Sequence, residues 1–154
     1  MRPVLTPLLL GCFVCMADAQ TPANAGRPRL PLELLPDTLA VCRLASDAAV
    51  PSWAASPQRF VTISRTREEL SITTTQANVP PGVRCERDYR ALRVRGPLPL
   101  DLIGILAAIA DPLAAAGLSI FAISTFDTDY VLVKSRDLAA AVAALERAGH
   151  HVSH

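Results

Sequence analysis

The sequence predicts an α+β fold in which one antiparallel sheet is covered by helices on one face. Three observations carry this reading. Short segments alternate apolar and polar residues with period two, as at Ala91–Arg95. Two segments carry the helical period instead, the first running from Leu102 to Ala116 and the second from Arg136 to Ala148. Apolar residues make up 51% of the 154 residues and charged residues 19%, so the chain can fill a packed interior.

The elements follow in order. Residues 20–31 hold three prolines and no apolar period, and read as a linker. Leu32–Leu35 and Leu39–Leu44 are apolar runs joined by Pro36-Asp37, a turn signal, so the spacing predicts a hairpin. Phe60–Ser64 and Ser71–Thr75 are β-branched strands on either side of a polar, Glu-containing connection. In the strand at Ala91–Arg95, Leu92 and Val94 face inward, while Arg93 and Arg95 face water. Gly96-Pro97-Leu98-Pro99 stops that strand, and Asp101 is placed to cap the helix that follows.

In that helix, Leu102, Leu106, Ile109, Leu113 and Ala116 form one buried stripe. Ile103, Ala107, Ala110 and Ala114 form a second, which calls for a partner surface. Pro112 removes one helical hydrogen bond and should kink the helix or start a new turn, and Gly117 ends the helix. Leu118–Ser124 reads as a central strand, Asp127-Thr128 as a turn and Tyr130–Val133 as the returning strand. Ser135 is placed to cap the second helix, which buries Leu138, Val142 and Leu145. Gly149 ends it before a last edge strand at His151-Val152. The order from Ala91 is β-α-β-β-α-β, the ferredoxin-like split unit. The earlier strands look like a degenerate copy of the same unit. The expected division is a leader and linker at 1–31, a degenerate unit at 32–88 and a complete unit at 89–154.

Composition narrows function. A net charge of +1 gives no electrostatic case for nucleic acid. Arg84, Arg87, Arg90, Arg93 and Arg95 read as the wet face of a strand rather than an anion site. Cys12 and Cys15 form a C-x-x-C without the second pair a zinc site needs. Cys42 and Cys85 read as buried thiols, with pairing left open. Arg2, the apolar run Val4–Met16 and Ala17-Asp18-Ala19 resemble a secretory leader, the alternative being translation from an upstream start. The run is shorter than the roughly 20 apolar residues of a membrane span, so no membrane insertion is expected after leader removal. His150, His151 and His154 read as tail histidines. No catalytic triad or phosphate loop can be placed, so the expectation is a non-enzyme without cofactor or metal.

The stretch from Asp111 to Val133, and within it Ile123-Ser124-Thr125-Phe126 followed by Asp129, resembles the bacterial ACT-domain proteins related to the CASTOR arginine sensors. The resemblance covers roughly residues 32–150, including Phe60–Ser64 and Asp137-Leu138. It implies tandem ACT units, a small ligand held at an interface between units, and regulation rather than catalysis. Carried over by position, it implies ligand contacts at Pro99, Leu100, Leu102, Ile103 and Ile105, with Thr125, Phe126 and Asp129 at the strand end. The sensors carry Glu where this chain has Leu102, so the implied pocket is amino-acid-shaped and suited to a less charged ligand than arginine. The shorter chain here implies a homodimer, with Ala108 and Ile109 of the facing helix completing the pocket.

The residues themselves supply a physical case. A helix start after Pro99 offers amides without internal partners, which suit a carboxylate. Gly104 leaves the approach open or, alternatively, permits close helix packing. Asp129 can accept hydrogen bonds from an amine, or simply serves turn chemistry. The resulting expectation is an amino-acid sensor, with a dimerisation or interaction module that binds no small ligand as the alternative. The leader points to export and the family resemblance to the cytoplasm.

Overall fold

The computed structural model describes residues 27–55 and 60–153. The leader expected at residues 1–19, Cys12, Cys15 and His154 lie outside the described residues. Strand β1 spans Pro31–Leu44, β2 Val61–Arg65, β3 Leu70–Thr75 and β4 Cys85–Val94. Helix α1 (Ile105–Ala115), strands β5 (Phe121–Ser124) and β6 (Asp129–Lys134), helix α2 (Leu138–Arg147) and strand β7 (His151–Ser153) follow. Together the strands form one seven-stranded sheet in the order β2-β3-β1-β4-β6-β5, with β7 added beside β1. All pairings are antiparallel except β1 with β7.

The core follows from the alternation. Leu32, Leu92, Val94, Val131 and Val133 project from the sheet onto Ile109 and Leu113 of α1 and Ala141 and Leu145 of α2. The opposite face is not wholly wet. Leu39, Ala91 and Leu132 are buried there, and Phe60 packs edge-on against Tyr130 at 5.0 Å between ring centres. Arg93, on that face, is ion-paired with Glu33 of β1.

Several expectations are corrected. Leu32–Leu35 and Leu39–Leu44 are not two strands of a hairpin but parts of one long strand, β1. Its pairing with β4 slips between Leu34 and Thr38, which leaves Pro36, without an N–H, outside the ladder. The bulge therefore absorbs the turn signal. Leu118–Ser124 is not a central strand. Only Phe121–Ser124 is extended, and it lies at the sheet edge, paired to β6 alone, while Leu118 and Ile120 pack into the helix-side core. Ser135 does not cap α2, which enters from a 3-10 turn at Ser135–Asp137 without a side-chain cap. Cys42 and Cys85, directly opposed across β1 and β4, are joined as a disulfide rather than left as thiols.

Pro112 does not break α1, which runs through it. The missing N–H leaves the Ala108 carbonyl without its helical donor. His150 supplies one, its Nε2 lying 3.0 Å from that oxygen, while its Nδ1 accepts the Leu30 N–H at 3.1 Å. His150 is 7% exposed, so it belongs to the core and not to a frayed tail. Since Nδ1 accepts a bond, the proton sits on Nε2.

Candidate ligand-binding site

Helix α1 begins three residues later than its sequence pattern indicates. Its N-terminal boundary is Gly104, held at φ 85° in the left-handed region, and no side chain caps it. Asp101 and Leu102 therefore lie in the loop before the helix, and Asp101 does not cap it. A Cβ added at Gly104 would meet nothing within 4 Å, so close helix packing is not its role; the backbone angle is. The first helical bond runs from the Ala108 N–H to the Gly104 carbonyl at 2.9 Å. The amides of Ile105, Leu106 and Ala107 precede it and have no helical acceptor.

The late start also rotates the buried stripe. Ile105, Ala108, Ile109 and Leu113 face the core, while Leu102 and Leu106 face outward and Ile103 is fully in solvent. Ala107 and Ala114 of the second stripe are exposed, and no element among the described residues covers them. Ala108 and Ile109 are buried within the chain and are not exposed to complete a pocket from a facing helix.

The loop before α1 is fastened to the β5–β6 hairpin. The Leu98 N–H donates to the Asp127 carbonyl at 2.8 Å, and the Thr128 hydroxyl donates to the Val94 carbonyl at 2.5 Å. Gly96 permits this approach, because a Cβ there would stand 2.7 Å from the Asp127 carbonyl. At the hairpin turn, the Thr125 N–H and hydroxyl both donate to the Thr128 carbonyl, at 2.9 and 2.8 Å. Ser124 and Asp129 face each other in register, and the Ser124 hydroxyl donates to Asp129 Oδ1 at 2.5 Å. The second carboxylate oxygen has no protein partner, and Asp129 forms no ion pair, among the described residues.

Between loop, helix start and hairpin lies a pocket of about 420 Å³. Of the residues singled out by sequence, Pro99, Leu100, Leu102, Gly104, Ile105, Thr125, Phe126 and Asp129 line it. Ile103 does not, and it is 92% exposed. Leu98, Leu106, Ala107, Ser124 and Thr128 also line it and were not anticipated. Ser124 was within reach of the sequence, since a hairpin closing at Thr125–Thr128 sets it opposite Asp129. The three residues of the unpaired helix-start amides, the residue of one carboxylate and a largely aliphatic set of neighbours thus line one pocket. Such a set can hold an anion at one end and an ammonium at the other.

A model of the ACT domain matches residues 84–147, and a second model, of an N-terminal domain, matches residues 37–82. The crystal structure of protein Atu0741 from Agobacterium tumefaciens superposes with a TM-score of 0.77 at 36% identity, covering 82% of this chain and 93% of that one. The chain belongs to the ACT-domain family. Within that family it is distantly similar to the human cytosolic arginine sensor for mTORC1 subunit 1, 43% identical over 60 residues. That match covers 38% of this chain but only 18% of the sensor. The aspartate kinase of Clostridium acetobutylicum, described as an allosteric enzyme, shares the fold over 79% of this chain and 35% of its own. Its TM-score is 0.56 at 10% identity.

Proposed function

We propose that this ACT-domain protein is a non-catalytic regulator that binds a free amino acid in the pocket between the α1 start and the β5–β6 hairpin. The carrying observation is the pairing of uncapped α1 amides with the Asp129 carboxylate in one pocket. The amino acid's carboxylate would meet the amides, where the helix field favours negative charge. Its ammonium would meet the open oxygen of Asp129 in a charge-assisted bond. The similarity to an arginine sensor supports the ligand class, not the identity of the ligand.

The finer architecture proposed is two ACT units, a degenerate one over 32–88 and a complete one over 89–154. The strand order supports the repeat, because β2-β3-β1 and β4-β6-β5 share one arrangement on the two sides of the sheet centre, while β7, the last strand of the second unit, pairs with β1 of the first. The ligand would then lie between copies of the complete unit in a homodimer. Leu100, at 74% exposure, Ile103 and Phe126, at 78%, form an apolar rim beside the pocket that such a partner would cover.

Thermal unfolding with a panel of free amino acids tests the reading. Binding to the folded state adds about 2.7 kcal/mol at 100 times the dissociation constant. Asp129→Ala is expected to keep the fold and lose the shift; an unaltered affinity in that variant refutes the site. The same exposed rim favours a second reading, a dimerisation module with no small ligand. That reading prevails if no amino acid moves the melting temperature.

A further inference from the structure

We infer that this protein works outside the reducing cytoplasm, as a chain processed after Ala19 and stapled by its Cys42–Cys85 disulfide. The inference does not depend on what the pocket binds. Its first support is where the disulfide sits. The core under α1 and α2 is one cluster of fourteen buried residues. The described residues from β1 to the start of β4 include no α-helix, only 3-10 turns at Ser52–Ala54 and Gln76–Asn78. Besides what β1 lends to the main core, they build two clusters of three buried residues each, joined by Trp53. Ala40, Cys42 and Val79 make one of these, with Val83 and Cys85 packed against it. A core that small gains most from a covalent link. The disulfide lies inside it and ties β1 to β4 where the two cysteines are opposed in register.

Other duties of paired cysteines do not fit. Bonded to each other, the sulfurs offer no thiolate to a metal. Redox catalysts present an accessible, activated cysteine. Cys42 is 1% exposed, and 43 residues of sequence separate it from Cys85.

The second support is the cysteine inventory. Arg2, the apolar run Val4–Met16 and Ala17-Asp18-Ala19 form a leader with its cleavage site. Cys12 and Cys15 leave with it, and the two cysteines that stay are bonded to each other. The processed chain then carries no free thiol, the state an oxidising compartment selects. Cytosolic glutathione keeps thiols reduced, so a structural disulfide belongs to an exported chain. The bond forms by thiol–disulfide exchange. A donor disulfide of the compartment takes two electrons and two protons from Cys42 and Cys85 and leaves as a dithiol. The arginine sensor is cytosolic, but this chain matches only 18% of it, so that location does not carry over.

Expression of the full chain in a bacterium with a periplasm tests this, read by intact mass and by maleimide labelling of the unfolded protein. The folded chain is expected in the periplasm with Gln20 as its first residue. Cys42 and Cys85 should take maleimide only after a reductant is added. Deletion of residues 2–19 keeps the chain in the cytoplasm, where its folded yield should fall about fivefold or more. The yield should recover in a strain whose cytoplasm permits disulfides. An uncleaved leader in the recovered chain, or free thiols at Cys42 and Cys85, overturns the inference. So does a yield that the deletion leaves unchanged or that the oxidising strain fails to restore.

Discussion

The carbonyl that Pro112 strips of its helical donor lies in the core, and an unpaired buried acceptor costs about 1–3 kcal/mol. His150 meets that need while accepting the Leu30 amide on its other nitrogen. His150→Ala is therefore expected to lower unfolding free energy by about 1–3 kcal/mol in urea titration, because it orphans two backbone groups at once. Nitrogen NMR of the wild type should show the Nε2-protonated tautomer. Gly104 is the second residue with a defined duty. Gly104→Ala retains open space for the methyl group but strains a positive φ by about 1–3 kcal/mol. Its expected signature is lower stability together with weaker amino-acid binding, since the amides of Ile105 to Ala107 shift with the helix start. Asp129 was singled out through the family resemblance, since its place beside a hairpin turn alone points to turn chemistry. His150 was not, because its partner lies far along the chain and is created by a proline.

At the scale of elements, β1 is decided by its neighbours. A Pro-Asp pair between apolar runs reads locally as a turn, yet β4 on one side and β3 and β7 on the other hold the segment as one strand with a bulge. The disulfide fixes the same pairing from its far end, joining strands separated by 43 residues of sequence. A cross-link closing a loop of that length restricts the unfolded chain by roughly 4 kcal/mol in the loop-entropy model. Reduction is expected to lower stability by up to that amount, measured as a drop in the urea midpoint with dithiothreitol and reproduced by Cys42→Ala/Cys85→Ala. Helix α1 shows the opposite case. Its apolar residues read as two stripes, but the sheet beneath buries neither whole: it takes Ile109 and Leu113 from the first and adds Ile105 and Ala108 from outside both. Leu102 and Leu106, which share the apolar pattern, are released to the pocket.

For the whole molecule, the sheet places the candidate site and the apolar rim on the same edge. β5 is that edge, four residues long and largely exposed, and Leu100, Ile103 and Phe126 stand nearby. A short edge limits strand addition, but the rim offers side chains to a second copy. The proposed dimer predicts that light scattering of wild type at micromolar concentration gives twice the mass of one chain. Ile103→Glu combined with Phe126→Glu is expected to return the monomer mass with the helical signal unchanged. A wild-type monomer under those conditions removes the dimer. Ile103 belongs to this test rather than to the ligand, since it is exposed and does not line the pocket.

The sequence by itself determined the α+β class, the two helices and the β5–β6 hairpin, which depend on short-range periods and turn residues; the residues expected to line the pocket came instead from the family resemblance. Only the tertiary structure decided which face of α1 is buried, that β1 is continuous, that Cys42 meets Cys85, and that Ser124 and Leu98 line one pocket with Asp129. Each of these depends on which surface a segment packs against, and a local pattern that fits two surfaces equally well carries no record of the one it will meet.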